Sequence, residues 1–199
     1  MYNFILLTIL SHKIIFGLDL NGITSLKDWE LLQDKPVKIE YKEYDGFPIS
    51  RSEIILNHSI EKVSNAIQDL DRYPMIFDRV ERTIKLDNNI VQIILDMPFP
   101  FSGRDYVIKY NINQLKNQWT FSYFSVNHPN EISNQDYVRL PNAAGIWILN
   151  TTNKNKTKII YAWNGELLGN FPDFGLKEAW ITQGTEVLLW LDKALKEEI

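Results

Sequence analysis

The stretch Ile90-Val91-Gln92-Ile93-Ile94-Leu95-Asp96-Met97-Pro98-Phe99-Pro100-Phe101-Ser102-Gly103-Arg104-Asp105-Tyr106-Val107-Ile108-Lys109-Tyr110-Asn111-Ile112 decides the reading of this chain. Two alternating runs flank a stiff, proline-rich loop. In the first, Val91, Ile93, Leu95 and Met97 share one phase. In the second, Tyr106, Ile108, Tyr110 and Ile112 share a phase, with Asp105, Lys109 and Asn111 in the other. A period of two marks half-buried β-strands, and burial favours the apolar phase facing inward.

The same period extends on both sides. Strands are predicted at 82–87, 90–97, 104–113, 117–126, 143–151 and 157–166, joined by Asn- and Asp-rich links. Upstream, Val37, Ile39 and Tyr41 alternate with charged residues. Asp45-Gly46 turns that strand into another at 49–56. Residues 25–33 predict a short helix with Leu26, Trp29 and Leu32 on one side, ended by Pro36. Ser59 caps a helix with Val63, Ala66, Ile67 and Leu70 on one face. Tyr73-Pro74 breaks that helix, and 75–80 predict a second, short one. A final helix spans 174–197, with Leu176, Trp180, Gln183, Val187, Leu191 and Leu195 at spacings of three and four; Gly175 and Gly184 are its weak points. The expected class is α+β: a curved antiparallel sheet wrapped around a long C-terminal helix. One helix over a curled sheet leaves an interior wider than ordinary side chains fill.

Composition narrows the partners. The 199 residues carry a formal charge of -4 and are 13% aromatic. An acidic balance argues against nucleic acid. With no cysteine there is no disulfide or thiolate metal site. His12, His58 and His128 have no metal-ligand spacing, and His58 and His128 read as surface residues. No nucleophile elbow, P-loop or dinucleotide fingerprint appears. No catalytic residue, metal site or cofactor is assigned, and the chain is expected to be a monomer.

Residues 98–107 resemble the START domain family, part of the Bet v 1-like helix-grip superfamily, and are closest to its bacterial members. Asp28-Trp29-Glu30-Leu31, Asp71-Arg72-Tyr73-Pro74, Tyr137-Val138-Arg139-Leu140-Pro141, Gly145-Ile146-Trp147 and Phe171-Pro172 extend the likeness over a domain at 22–197. The resemblance implies an apolar tunnel for a lipid or other hydrophobic small molecule, for transfer or sensing. It also implies transient membrane contact through the 98–103 loop, which carries Phe99 and Phe101. Sterol-binding members hold an acid–base pair in the tunnel; here Val91 and Tyr110 stand at those positions. Some superfamily relatives are polyketide cyclases or aromatases, which is the alternative reading. A solidly packed interaction module is a third.

The expected ligand wall comprises Tyr73 and Phe77, Val91, Ile93 and Leu95, Phe99 and Phe101, Arg104, Tyr106, Ile108 and Tyr110, Trp147, Tyr161, Trp163, Trp180 and Val187. Tyr106, Tyr110 and Tyr161 would bring three hydroxyls to one inner surface, and buried hydroxyls need partners. Arg104 faces inward at a strand start. It needs Asp96, Asp105, Asp136 or a ligand head group as partner.

Residues 1–20 stand apart as an apolar N-terminal segment. Its 1–17 core resembles a secretory h-region, although no Lys or Arg precedes the run and it is too short to span a bilayer. A signal peptide there would make the protein periplasmic or secreted; otherwise it is cytoplasmic.

Overall fold

The computed structural model describes residues 18–197. The signal-peptide reading of 1–17 lies outside the described residues. Leu18, Leu20 and Ile23 are buried.

Among the described residues, ten strands form one open sheet. They are β1 (Glu30–Gln33), β2 (Lys38–Tyr44), β3 (Phe47–Leu56), β4 (Val80–Asp87), β5 (Ile90–Leu95), β6 (Gly103–Leu115), β7 (Gln118–Ser125), β8 (Tyr137–Arg139), β9 (Ala144–Asn153) and β10 (Lys156–Asn164). Their spatial order is β1-β2-β3-β10-β9-β7-β6-β5-β4. Every pair on that path is antiparallel; β8 alone runs parallel to β6. Helices α1 (Ile60–Gln68) and α2 (Tyr73–Ile76) link β3 to β4, and α3 (Leu176–Glu197) follows β10. The architecture is the α+β helix-grip arrangement.

Local signals act where the sequence places them. Asp45 and Gly46 both take positive φ, 54° and 79°, closing a two-residue hairpin between Tyr44 and Phe47. The Ser59 hydroxyl accepts from the Lys62 amide at 3.3 Å and starts α1.

Three expectations are corrected. Residues 25–33 are not a helix: a 3-10 turn at Ile23–Ser25 precedes β1, whose edge pairs with β2. Asp28 at φ 57° breaks any helical path. Leu26 and Trp29 pack on one face of the sheet and Leu32 on the other, so their three-residue spacing does not mark one surface. The second short helix is Tyr73–Ile76, with Pro74 in its first turn, and Val80 already begins β4. β8 was not anticipated. It pairs with Gly103–Asp105, where β7 has already ended opposite Ile108.

Both sheet faces are covered. The concave face joins α1, α2 and α3 in the main core. On the convex face Leu18, Leu20 and Ile23 pack over Ile49, Ala144, Ile146, Ile148 and Ala162. Residues 144–149 are therefore buried in both phases. Asp105 is buried on the outer side of β6, accepting from Arg139 at 2.7 Å and from Gln92 at 2.7 Å. Gln92 also holds both backbone groups of the 126–136 connection at Ile132. His58, expected at the surface, sits 3.3 Å from Asp192 Oδ1 on α3 and is only 12% exposed.

Gly184 sets how closely α3 seats on the sheet. A Cβ there would lie 2.2 Å from Ser52 Oγ, 2.7 Å from Ile39 Cδ1 and 2.9 Å from the Trp163 ring. The expected weak point of the helix is its tightest contact. Gly184→Leu is expected to lower stability by about 2 kcal/mol, read as a lower urea midpoint at unchanged slope. Overpacking costs roughly 1–3 kcal/mol, more than the roughly 1 kcal/mol that removing a helical glycine returns.

Candidate functional site

On the adjoining stripe of α3, the helix and the concave face stand apart. They enclose a cavity of about 580 Å3, within the range of roughly 300–1,000 Å3 common for small-molecule sites. Successive turns of α3 serve two jobs. Trp180, Gly184, Leu188, Leu191 and Leu195 are buried, while Ala179, Gln183, Val187 and Trp190 line the cavity. The sequence pattern merges these adjacent stripes into one.

The structure brings together Tyr73, Phe77, Ile93, Leu95, Phe101 and Arg104 at this cavity. Tyr106, Ile108, Trp147, Tyr161, Trp163 and Val187 join them. It leaves out four expected residues. Val91 is buried in the core opposite Ile108. Tyr110 stacks on Phe121 at 5.1 Å and donates to Asn88 O at 3.2 Å. Phe99 is 97% exposed. Trp180 stacks on Tyr41 at 4.7 Å and donates to Gly165 O at 2.8 Å. A period of two tells which face a residue takes, not how far along the strand the helix stays clear of it. Ile112 shows the consequence: it shares the inward phase yet is 44% exposed, because β6 outruns the cavity.

The apolar end lies under α2 and the turn before it, walled by Leu70, Tyr73, Phe77, Phe121 and Trp147. Trp147, Tyr161 and Trp163 stack in a ladder across β9 and β10, with centroids 4.1 and 4.8 Å apart. Tyr123, missed in the sequence although it shares its phase with Phe121, lies over Gly145 and bonds to the Tyr161 hydroxyl at 3.1 Å. Tyr73 donates to Ile67 O at 2.7 Å. Tyr106 lines the cavity, and its hydroxyl has no hydrogen-bond partner among the described residues.

The polar groups gather at one edge. Leu95 pairs with Arg104, Ile108 with Ser125 and Trp163 with Gly145, so β5, β7 and β10 end together there and β6 and β9 begin. Arg104 is only 1% exposed and, contrary to expectation, has no carboxylate partner among the described residues. Its Nε donates to Leu167 O at 2.9 Å, Nη2 to Leu168 O at 3.0 Å and Nη1 to Ser102 O. The guanidinium ties the start of β6 to the loop after β10, and burial pulls its pKa down. Asp105 could not pair with it because adjacent strand residues face opposite sides. Beside this clamp stand Asn142, Asn164 and Glu166. Glu166 Oε2 accepts from Asn142 Nδ2 at 3.3 Å and from Asn164 Nδ2 at 3.0 Å. Phe101 packs on Phe171 at 4.7 Å beside the cavity rim, where Phe174 is 92% exposed. Arg79 lines the wall and makes a two-pronged pair with Glu186 on α3, at 2.7 and 2.9 Å.

No protein-family model matches the sequence, and no curated protein is significantly similar to it. Solved structures are similar. A STAR-related lipid transfer protein from Xanthomonas axonopodis aligns over 85% of this chain and 99% of its own, at 18% identity and TM-score 0.73. Human STARD10 aligns over 88% and 76%, at 15% identity and TM-score 0.77. The Zhui aromatase/cyclase from Streptomyces sp. R1128 aligns over 74% and 93%, at 11% identity and TM-score 0.53. The fold of this chain is that of the START domains.

Burial pushes the hydroxyl pKa of Tyr73, Tyr106 and Tyr123 well above the usual value, and that of Tyr161 up to about 12. The unfolded chain would ionise these groups near 10.0. Above that pH the native state holds more protons than the unfolded one, so stability falls as pH rises. Alkaline titration at 295 nm is expected to show these four tyrosines resisting ionisation between pH 10 and about 12 until the protein unfolds. Denaturant midpoints should drop across the same interval.

Proposed function

We propose that the protein takes up a lipid or other hydrophobic small molecule in this cavity, for transfer or sensing. The cavity itself carries the reading: apolar and aromatic at the end beneath α2, polar at the edge where the strands end. Removing an apolar tail from water drives binding, at roughly 25 cal/mol per Å2 buried. The head stays at the polar edge, where Tyr106 and the Asn142–Asn164–Glu166 group can meet it. The START fold of the lipid-transfer neighbours supports the same reading.

The tyrosines are suited to holding a ligand rather than to acting as bases. A general base works with a pKa near the operating pH. Burial moves Tyr73, Tyr106, Tyr123 and Tyr161 the other way and keeps them neutral donors.

Native mass spectrometry of the protein after incubation with extracted membrane lipids is expected to show an adduct of small-molecule mass. Val187→Trp puts an indole into the space and should cut occupancy at least tenfold while circular dichroism stays native. Protein recovered only empty would overturn the reading.

Exchange needs a route, and the rim offers one. Phe99 and Phe174 project from the two segments flanking the cavity opening, suited to a membrane surface. With no basic cluster beside them, the contact is apolar rather than electrostatic. The double change Phe99→Ser with Phe174→Ser is expected to slow transfer of a fluorescent lipid from vesicles severalfold and leave its equilibrium affinity within twofold. Added salt should change the wild-type rate little.

A further inference from the structure

We infer that the head group held at the polar edge is a hydrogen-bond donor, cationic or neutral, and not an anion. The inference rests on the hydrophobic-ligand reading and specifies its polar end.

The charges lining the cavity differ in what they can offer. Arg104 is 1% exposed, and three of its five N–H groups, one on each nitrogen, donate to backbone carbonyls. Arg79 is committed to both oxygens of Glu186. Neither guanidinium presents the free fork that phosphate or carboxylate recognition uses. Glu166 is the opposite case. It lines the cavity, is half-buried, and has no Lys, Arg or His within ion-pair distance among the described residues. Both of its side-chain donors, the Asn142 and Asn164 amides, go to Oε2. Oε1 has no partner among them and is not sealed in protein. Glu178, also on the cavity wall, is exposed and adds a second negative charge on the rim side.

The two asparagines fix the carboxylate in place. Asn164 Nδ2 also donates to Asn142 O at 2.9 Å, and its Oδ1 accepts the Glu166 amide at 3.1 Å. A held carboxylate with one open oxygen is an acceptor only. It favours ammonium, amide N–H or hydroxyl heads and repels carboxylate and phosphate. Tyr106, whose hydroxyl is unpaired in the same cavity, can accept or donate to the same kind of head.

The test compares three single-chain probes of equal length at pH 7, below micelle formation: tetradecylamine, tetradecanol and tetradecanoate. Displacement of a neutral fluorescent lipid from the wild-type protein reads their affinities. The amine and the alcohol are each expected to bind at least tenfold more tightly than the acid. In Glu166→Gln the amine-to-acid ratio should fall at least tenfold, while the alcohol stays within about threefold. An acid that binds the wild type as well as the amine does would overturn the inference, whether or not the variant folds. So would a ratio unchanged in a folded Glu166→Gln protein. Failure of all three probes to bind would instead overturn the hydrophobic-ligand reading, and this inference with it.

Discussion

One helix must cover the concave face of a ten-stranded sheet, and it seats closely on one side of that face, through Trp180 on Tyr41 and through Gly184. At Gly184 the missing side chain lets α3 settle onto β2, β3 and β10, against Ile39, Ser52 and Trp163. On the adjoining stripe, Ala179, Gln183, Val187 and Trp190 do not reach the opposite wall. Close seating on one side and separation on the other make the interior hollow. Aromatic stacking through Trp147, Tyr161 and Trp163 stiffens the cavity wall across β9 and β10.

The second constraint is polar. A buried guanidinium must be satisfied, and Arg104 meets the requirement with backbone carbonyls. Those carbonyls belong to Ser102, Leu167 and Leu168, so one side chain anchors both loops beside the cavity opening. Leu168 and Gly169, at φ 53° and 62°, let the later loop curl back over β8, where a Cβ on Gly169 would meet Val138 at 2.9 Å. Arg104 is thereby a structural tether. The accessible polar chemistry passes to Glu166 and its asparagines.

Much of this was legible in the chain. Strands with period-two alternation, the Asp45-Gly46 hairpin, the Ser59 cap and the long last helix all depend on neighbours a few residues away. The wall residues Ile93, Tyr106, Ile108 and Tyr161 follow from phase alone. Less legible were β1, a four-residue edge strand with a register shift against β2, and β8, three residues whose partner in β6 is distant in the chain. Trp180 was misread because a helix stripe does not say whether it meets the sheet or the space beside it. Asn142, Asn164 and Glu166 carry no local signal: they converge only because β9 begins where β10 ends.

What the sequence determined by itself is the sheet, the helices, their order and the inward apolar phase, since backbone pattern and burial are local or periodic properties. Only the tertiary structure decided how far the helix stands from the sheet, which charges are spent internally and which remain open. Those outcomes depend on distances between segments up to about 150 residues apart, such as Gln33 and Thr185. No local pattern encodes such distances.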